Sequence, residues 1–345
     1  MELKVDLFSD TGTRPSREMR KFMAEAEVGD EQLGEDPSVN RLCRMVAEIL
    51  DKDDAVYLPS GLMANQISYA VHCQKGDEIV MHKTAHPIHF ESGAAAVIAG
   101  ASIKMLDGEG GIFTAEDFEG AIRDNDYHSP QTSVVSIEQT TNLGGGRIWP
   151  LERIKEIAEV AAQHGIKMHM DGARMLNAAV AAGVDPADYG QYFDSIWIDL
   201  SKGLGAPVGS VLAGSAEFIE KARFWKQRLG GAMRQAGIIA AGGIYALENN
   251  IERLAEDHEH ARMLAETIKE QPGLDIDLEG VDTNIVLFSV ADGRADEFAD
   301  RLLEEGVRVS RMEGLLRAVT HLDVDRDQIR YAVKTIEKTA SQMFA

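Results

Sequence analysis

Residues 55–66, AVYLPSGLMANQ, run from a short apolar stretch straight into a segment that opens a helix, with Ser60 and Gly61 at the joint. A strand that ends where a helix begins is the unit of an open α/β sheet, and the pattern recurs through about residue 215. EIVM (78–81), SIKML (102–106), SVVSIE (133–138), IKMHM (166–170), DSIWI (194–198) and GSVLAG (209–214) are further strand candidates, with helical patterns between most of them. In DPSVNRLCRMVAEIL, the first helix on this reading, Asp36 caps and Pro37 takes the first helical position. Val39, Leu42, Met45, Val46, Ile49 and Leu50 then form one apolar stripe. PLERIKEIAEVAAQHG is a second clear helix, opened by Pro150 and closed by Gly165. Beyond Gly237 the pattern changes to long helices through about Glu270, followed by NIVLFSV, ADEFADRLLEEG, VRVSRM, LLRAVT and a terminal helix. The expected fold class is α/β, with a mainly parallel large-domain sheet covered by helices plus a smaller α+β C-terminal domain. The boundary falls near Asn250, dividing the chain into 1–250 and 251–345.

A length of 345 residues suits two domains, and 44% hydrophobic with 27% charged residues excludes disordered and fibrous classes. Asp plus Glu number 57 against 35 Lys plus Arg, a net charge of −22 that repels phosphate backbones and anionic membranes. Cys43 and Cys73 make neither a disulfide framework nor a zinc motif. Asp6 and Asp10 interrupt any signal-peptide core, and no apolar run approaches the roughly 18 residues of a membrane span. The expectation is a soluble cytoplasmic protein without nucleic-acid or membrane partners. His82, His86, His89 and Glu91 cluster in sequence, but Pro87 disturbs their helical face and their spacing fits no metal motif, so no metal is expected. His164, His258 and His260 read as surface residues, and LAEDHEHARMLAE as a solvated helix face.

Three strand ends carry unusual residues: SGLMAN (60–65), DGAR (171–174) and DLSKGLGAPVG (199–209). In an open sheet, reactive groups gather at such ends. Ser60, Gly61 and Leu62 open a helix whose free N–H groups and dipole attract a phosphate. A lysine such as Lys202, relieved of solvent, can condense with an aldehyde. An aspartate such as Asp171 can keep a pyridine nitrogen protonated, which makes the ring an electron sink. Together these parts specify pyridoxal 5′-phosphate.

The order DLFSDTGTRP, GEDPSVNRL, PSGLMANQ, AHPIHFESGA, IEQTTNLGGG, HMDGARMLNAA, LSKGLGAPVGS, GGAMRQAG and LRAVTHLDV resembles the L-threonine aldolase family, fold-type-I pyridoxal-phosphate enzymes of the β-eliminating lyase group, over nearly the whole chain. The resemblance implies a fold-type-I transferase-like fold in which Lys202 binds the cofactor aldehyde, Asp171 pairs with its ring nitrogen and His86 lies against its face. It implies that Ser9, Arg174 and Arg317 hold the substrate carboxylate, a planar anion that suits arginine. His128, ten residues before Glu138, matches a second active-site histidine. Arg234 would reach the cofactor phosphate across a subunit boundary, in a homo-oligomer that the family makes a tetramer of two dimers. The small-residue stretch Gly230–Leu247 points the same way, being hard to bury within one chain.

The implied reaction cleaves L-threonine or L-allo-threonine to glycine and acetaldehyde, with His86 or His128 as base. Two imidazoles would let either Cβ epimer find a base, hence low specificity. Phenylserine and 3-hydroxyaspartate are alternative substrates; β-elimination, racemisation and transamination use the same Lys202 and Asp171, and spacing does not separate them. The chain departs from the family at Leu33, Leu62, Thr141 and Gln227.

Overall fold

All seven strands expected in the first 215 residues form, and they lie in one sheet. The computed structural model describes residues 2–124, 126–312 and 314–344. Its strands are β1 (Val5–Leu7), β2 (Asp54–Leu58), β3 (Glu78–His82), β4 (Ser102–Leu106), β5 (Thr132–Glu138), β6 (Lys167–Asp171), β7 (Ser195–Asp199), β8 (Ser210–Gly214), β9 (Leu274–Asp275), β10 (Ile285–Val290), β11 (Val307–Met312) and β12 (Leu315–Val319). The large sheet has the order β2-β8-β7-β6-β5-β3-β4, parallel except where β8 runs against β2 and β7. Its inner strands are buried on both faces because helices cover both, as a parallel sheet requires. The fold class is therefore the expected α/β one, with a mainly parallel sheet.

The second sheet has the order β1-β11-β12-β10-β9, and β1 joins it in parallel beside β11. A division at residue 250 would have left the N-terminal strand with the first sheet. Instead Val5 and Leu7, both buried, belong to the second core with Phe288, Phe298 and Leu316. The chain thus starts in the second sheet, crosses to build the first, and returns.

Helix Pro37–Ile49 forms as read, with Asp36 Oδ1 accepting from Ser38 N and Val39 N, but helix Arg17–Ala24 precedes it. Helix Gly237–Asn249 packs on both. Its Gly237, Ala240, Ala241, Gly242, Gly243 and Ile244 are buried within one chain, so this small-residue stretch does not by itself call for a second copy. The helix Leu254–Glu270 corrects the solvated-face reading. Leu254 enters the first core and Ala261 and Leu264 the second, which buries two sides of one helix. Asp257 is fully buried and bonded to Arg253, with burial raising its carboxyl to about 6 against the opposing pull of that guanidinium. His260 is buried and His258 half-buried, while His164 is exposed as expected.

Because Leu7 packs wholly inside the second core, Leu7→Ala should lower the unfolding free energy by about 2–5 kcal/mol. Urea unfolding measures this. A loss below about 0.5 kcal/mol, the range of surface substitutions, would show that the N-terminal strand does not hold that sheet.

Candidate active site

The carboxyl ends of β2, β6 and β7, with the start of helix Gly61–His72, surround a cavity of about 270 Å³. Lined among others by Thr11, Ser60, Gly61, Leu62, Asn65, His86, Asp171, Trp197 and Lys202, it gathers residues more than 190 positions apart.

Each wall has a local cause. Ser60 caps its helix through Oγ, which accepts from Met63 N at 3.3 Å, so the first turn's N–H groups open toward the cavity. Gly61 lets that turn sit down on Trp197: a Cβ there would lie 2.2 Å from the indole ring. Asp199, ending β7, accepts from Ser201 N and Oγ at 2.7 and 2.9 Å, which turns the chain so that Lys202 faces inward. Lys202 Nζ lies 3.2 Å from Asp199 Oδ2, and Thr13 Oγ1 donates to Lys202 O at 2.8 Å, laying the N-terminal segment over this loop.

Asp171 ends β6, buried, with Oδ2 accepting from Asn65 Nδ2 at 2.8 Å and Oδ1 from Ala173 N at 3.1 Å. Across the cavity His86 Nδ1 lies 2.8 Å from Glu91 Oε1. Burial alone would lower the His86 pKa. The hydrogen bond to Glu91 and the charges of Asp171, Glu91 and Glu138 outweigh it, and the net shift is upward. Ligand atoms of His86, Glu91 and Asp171 lie within 4.8 Å of one another, near enough for a cation, and the two carboxylates accept from Asn65 and Gln66. Glu138 ends β5 as the register partner of Asp171, and burial together with that like charge pushes its carboxyl up to about 7.

Arg174 follows Asp171 by three residues and is spoken for: its Nε and one Nη donate to Asp10 at 2.7 Å each. Asn284 Nδ2 adds a bond to Asp10 at 3.1 Å. Arg317 donates to Ser310 Oγ at 3.2 Å and to Asn142 Oδ1 at 2.6 Å. Burial and the nearby Arg174 bring its pKa down to about 10, which leaves it cationic at neutral pH. Two buried guanidiniums thus stand near one another, of which Asp10 pairs directly with Arg174 alone, an arrangement that favours one further anion. Ser9 Oγ accepts from Thr11 N at 3.2 Å, and it is Thr11 that lines the cavity.

Two expected residues are not brought there. His128 sits exposed beside Tyr127, in the loop that enters β5, whereas Glu138 leaves it; the seven residues of β5 separate them by about 20 Å. Arg234 lies on the surface, bonded to Asp30 at 2.8 Å. Conversely, sequence reading assigned no role to Asp10, Glu91, Glu138 or His169. Of these His169 carried a signal: two positions before Asp171 on a strand, it must share that residue's face.

A family model described as "Beta-eliminating lyase" matches residues 6–292. The low specificity L-threonine aldolase of Escherichia coli K12 is 40% identical, covering 94% of this chain and 96% of that one. Low-specificity L-threonine aldolase 1 of Arabidopsis thaliana is 37% identical over 98% of this chain and 97% of its own. Among solved structures, the Leishmania major threonine aldolase superposes with a TM-score of 0.84 at 18% identity, over 97% of this chain and 99% of that one, a likeness of fold. By the length and level of these matches, the chain belongs to the β-eliminating lyase family and, within it, to the L-threonine aldolases.

Proposed function

We propose that the chain cleaves L-threonine and L-allo-threonine to glycine and acetaldehyde at the Lys202 cavity, with pyridoxal 5′-phosphate as cofactor. The observation that carries this reading is a single cavity bordered by an inward lysine, a buried aspartate and a helix N-terminus, with two buried guanidiniums near it. The donor set fits the cofactor: an amine for its aldehyde, an anion for its ring nitrogen, and free N–H groups for its phosphate. The names of the relatives supply the substrate. When bound, the cofactor supplies a protonated aromatic ring that accepts the electron pair of the breaking Cα–Cβ bond.

In this reading Lys202 anchors the aldehyde, and Asp171 holds the proton on the ring nitrogen. Ser60, Gly61 and Leu62 offer backbone N–H groups to the phosphate, so Leu62 serves as well as a hydroxyl residue would. Arg317 and the second Nη of Arg174 take the substrate carboxylate beside Ser9, which fixes the α-carbon as L and orients the bond to be broken. His86, its Nδ1 turned to Glu91, holds or takes the β-hydroxyl proton through Nε2. With His128 at the far end of β5, acceptance of both Cβ epimers rests on one imidazole acting directly or through water. Arg234 acts from a neighbouring copy in a tetramer, for which exposed Leu33, Leu62 and Phe90 offer apolar contact surface. The −22 net charge and lack of cysteine pairing suit a cytoplasmic location.

Incubation with L-threonine, L-allo-threonine and their D-isomers tests the reading: acetaldehyde should appear from both L-epimers and from neither D-isomer. No aldehyde from any L-β-hydroxy amino acid, phenylserine and 3-hydroxyaspartate included, would overturn it. Lys202→Ala should keep the far-ultraviolet spectrum, abolish the visible cofactor band that borohydride bleaches, and lower kcat by at least about 10³-fold. Retained turnover would move the chemistry elsewhere. Glu91→Gln removes the carboxylate that raises the His86 pKa, so His86 should titrate at lower pH, as followed by histidine NMR; an unchanged or higher midpoint would contradict the assigned pairing.

A further inference from the structure

Helix Gly61–His72 meets the large sheet partly through polar side chains, and these form one continuous file. His72 Nε2 lies 2.9 Å from Ser195 Oγ, which lies 2.8 Å from His169 Nδ1. His169 Nε2 lies 3.0 Å from Asn65 Oδ1. Asn65 Nδ2 donates at 2.8 Å to Asp171 Oδ2 and at 2.7 Å to Glu91 Oε1. His169, Ser195, Asn65, Asp171 and Glu91 are all buried.

Donor counting gives every proton in this file one place. Trp197 Nε1 can only donate, and it lies 2.7 Å from Asn65 Oδ1, which identifies the amide oxygen. That oxygen accepts from His169, so the proton of His169 sits on Nε2 and its Nδ1 accepts from the Ser195 hydroxyl. The hydroxyl has a single hydrogen, and therefore accepts from His72 Nε2–H. Both imidazoles are neutral, since burial pushes His72 down to about 4 and His169 to about 3.

We infer that Asn65 is a positioning residue of the site: its amide nitrogen spans Asp171 and Glu91, and its orientation is locked by Trp197 and by the file His169–Ser195–His72. Asp171 and Glu91 are like charges that would repel in a buried setting, and one amide gives each of them a hydrogen. Glu91 in turn aims His86, while Gln66 Nε2 holds its other oxygen at 2.5 Å. A single side chain thereby sets the separation between the anion proposed for the ring nitrogen and the imidazole proposed for the ring face. Only this catalytic consequence rests on the proposed cofactor; the hydrogen-bond order stands on geometry alone.

Long-range ¹H–¹⁵N NMR of the full-length protein, labelled at histidine and free of cofactor, reads the tautomers directly. His72 and His169 should both be neutral with the proton on Nε2 at pH 7, and Nδ1–H at His169 would overturn the inference. Asn65→Leu removes both donated hydrogens while keeping the side-chain volume. The charges of Glu91 and Asp171, which with Glu138 face His86, then lose that compensation, so His86 should titrate at higher pH. In the loaded enzyme kcat for L-threonine should fall on the order of 10²-fold, with KM changed less than about threefold. A folded Asn65→Leu protein whose His86 midpoint does not move would refute the positioning role. Should that variant not fold, Ser195→Ala cuts the file one step away: His169 should keep the Nε2–H tautomer that Asn65 Oδ1 fixes while His72, deprived of its acceptor, populates both tautomers, and a His169 that gave up Nε2–H would show that Asn65 does not set the order. Expected tautomers and titrations without threonine cleavage would leave this inference standing and sink the proposed reaction instead.

Discussion

The buried ion pair between Asp10 and Arg174 ties the molecule together at its site. Asp10 comes from the segment after β1, Arg174 from the end of β6, and Asn284, which bonds the same carboxylate, from the start of β10. One carboxylate therefore joins the N-terminal segment, the large sheet and the second sheet. Burial by itself would raise the Asp10 pKa, yet the charge and hydrogen bonds of Arg174 hold it well below the usual carboxylate range. Such a pair is costly to break from one side, because either partner alone is an uncompensated buried charge. The fold accordingly keeps both sheets clasped around the cavity over any pH at which Asp10 is ionised.

Around that clasp the charges are graded. Asp171 accepts from two nitrogens, whereas Glu138, its neighbour across the sheet register, accepts from Asn142 N at 3.0 Å and is pushed up to about 7. Of the two adjacent carboxyls, it is Glu138 whose ionisation burial and the neighbouring charge hold back. The linkage runs one way: an unfolded chain releases the Glu138 proton near the ordinary carboxylate pKa, so this group favours the folded state less as pH climbs from there toward about 7. The cationic side is graded too, with Arg174 neutralised by Asp10 and Arg317 bonded to uncharged oxygens alone. A carboxylate entering the site would meet Arg317 as the less satisfied partner.

The strands of the large sheet were legible because each is an apolar run of five to seven residues bounded by turn formers. β1 and β9, of three and two residues, are too short to show alternation, and their pairing depends on partners some 300 and 15 positions away. Lys202, Asp171 and His86 were legible from their places at or near strand ends. His128 was misplaced for a physical reason: its distance from Glu138 was counted along the chain, but β5 lies between them and carries the two to opposite ends of the sheet. Asp257 and His260 were misread because amphipathicity assumes one buried face, and a helix wedged between two cores has two. Asn65 and Gln66 stand in an otherwise apolar turn, a polar pair whose purpose becomes visible only once Glu91 is folded against them.

The departures from the family pattern have structural occupations of their own. Thr141 is buried, its Oγ1 accepting from Arg147 N at 3.1 Å and its carbonyl from Gly146 N at 2.7 Å. A Cβ on Gly144 would lie 2.5 Å from that same hydroxyl, so the small side chain at 141 and the glycine run after it form one packing unit. A bulkier residue at 141 would need this loop to move. Gln227 is exposed, while Lys226 beside it is buried in an ion pair with Glu31, whose other oxygen accepts from Met233 N at 3.1 Å. That pair fastens the 30–33 segment, which carries Leu33, to the 231–234 segment, which carries Arg234. The cation at 226 is thus committed to holding the loop that carries Arg234.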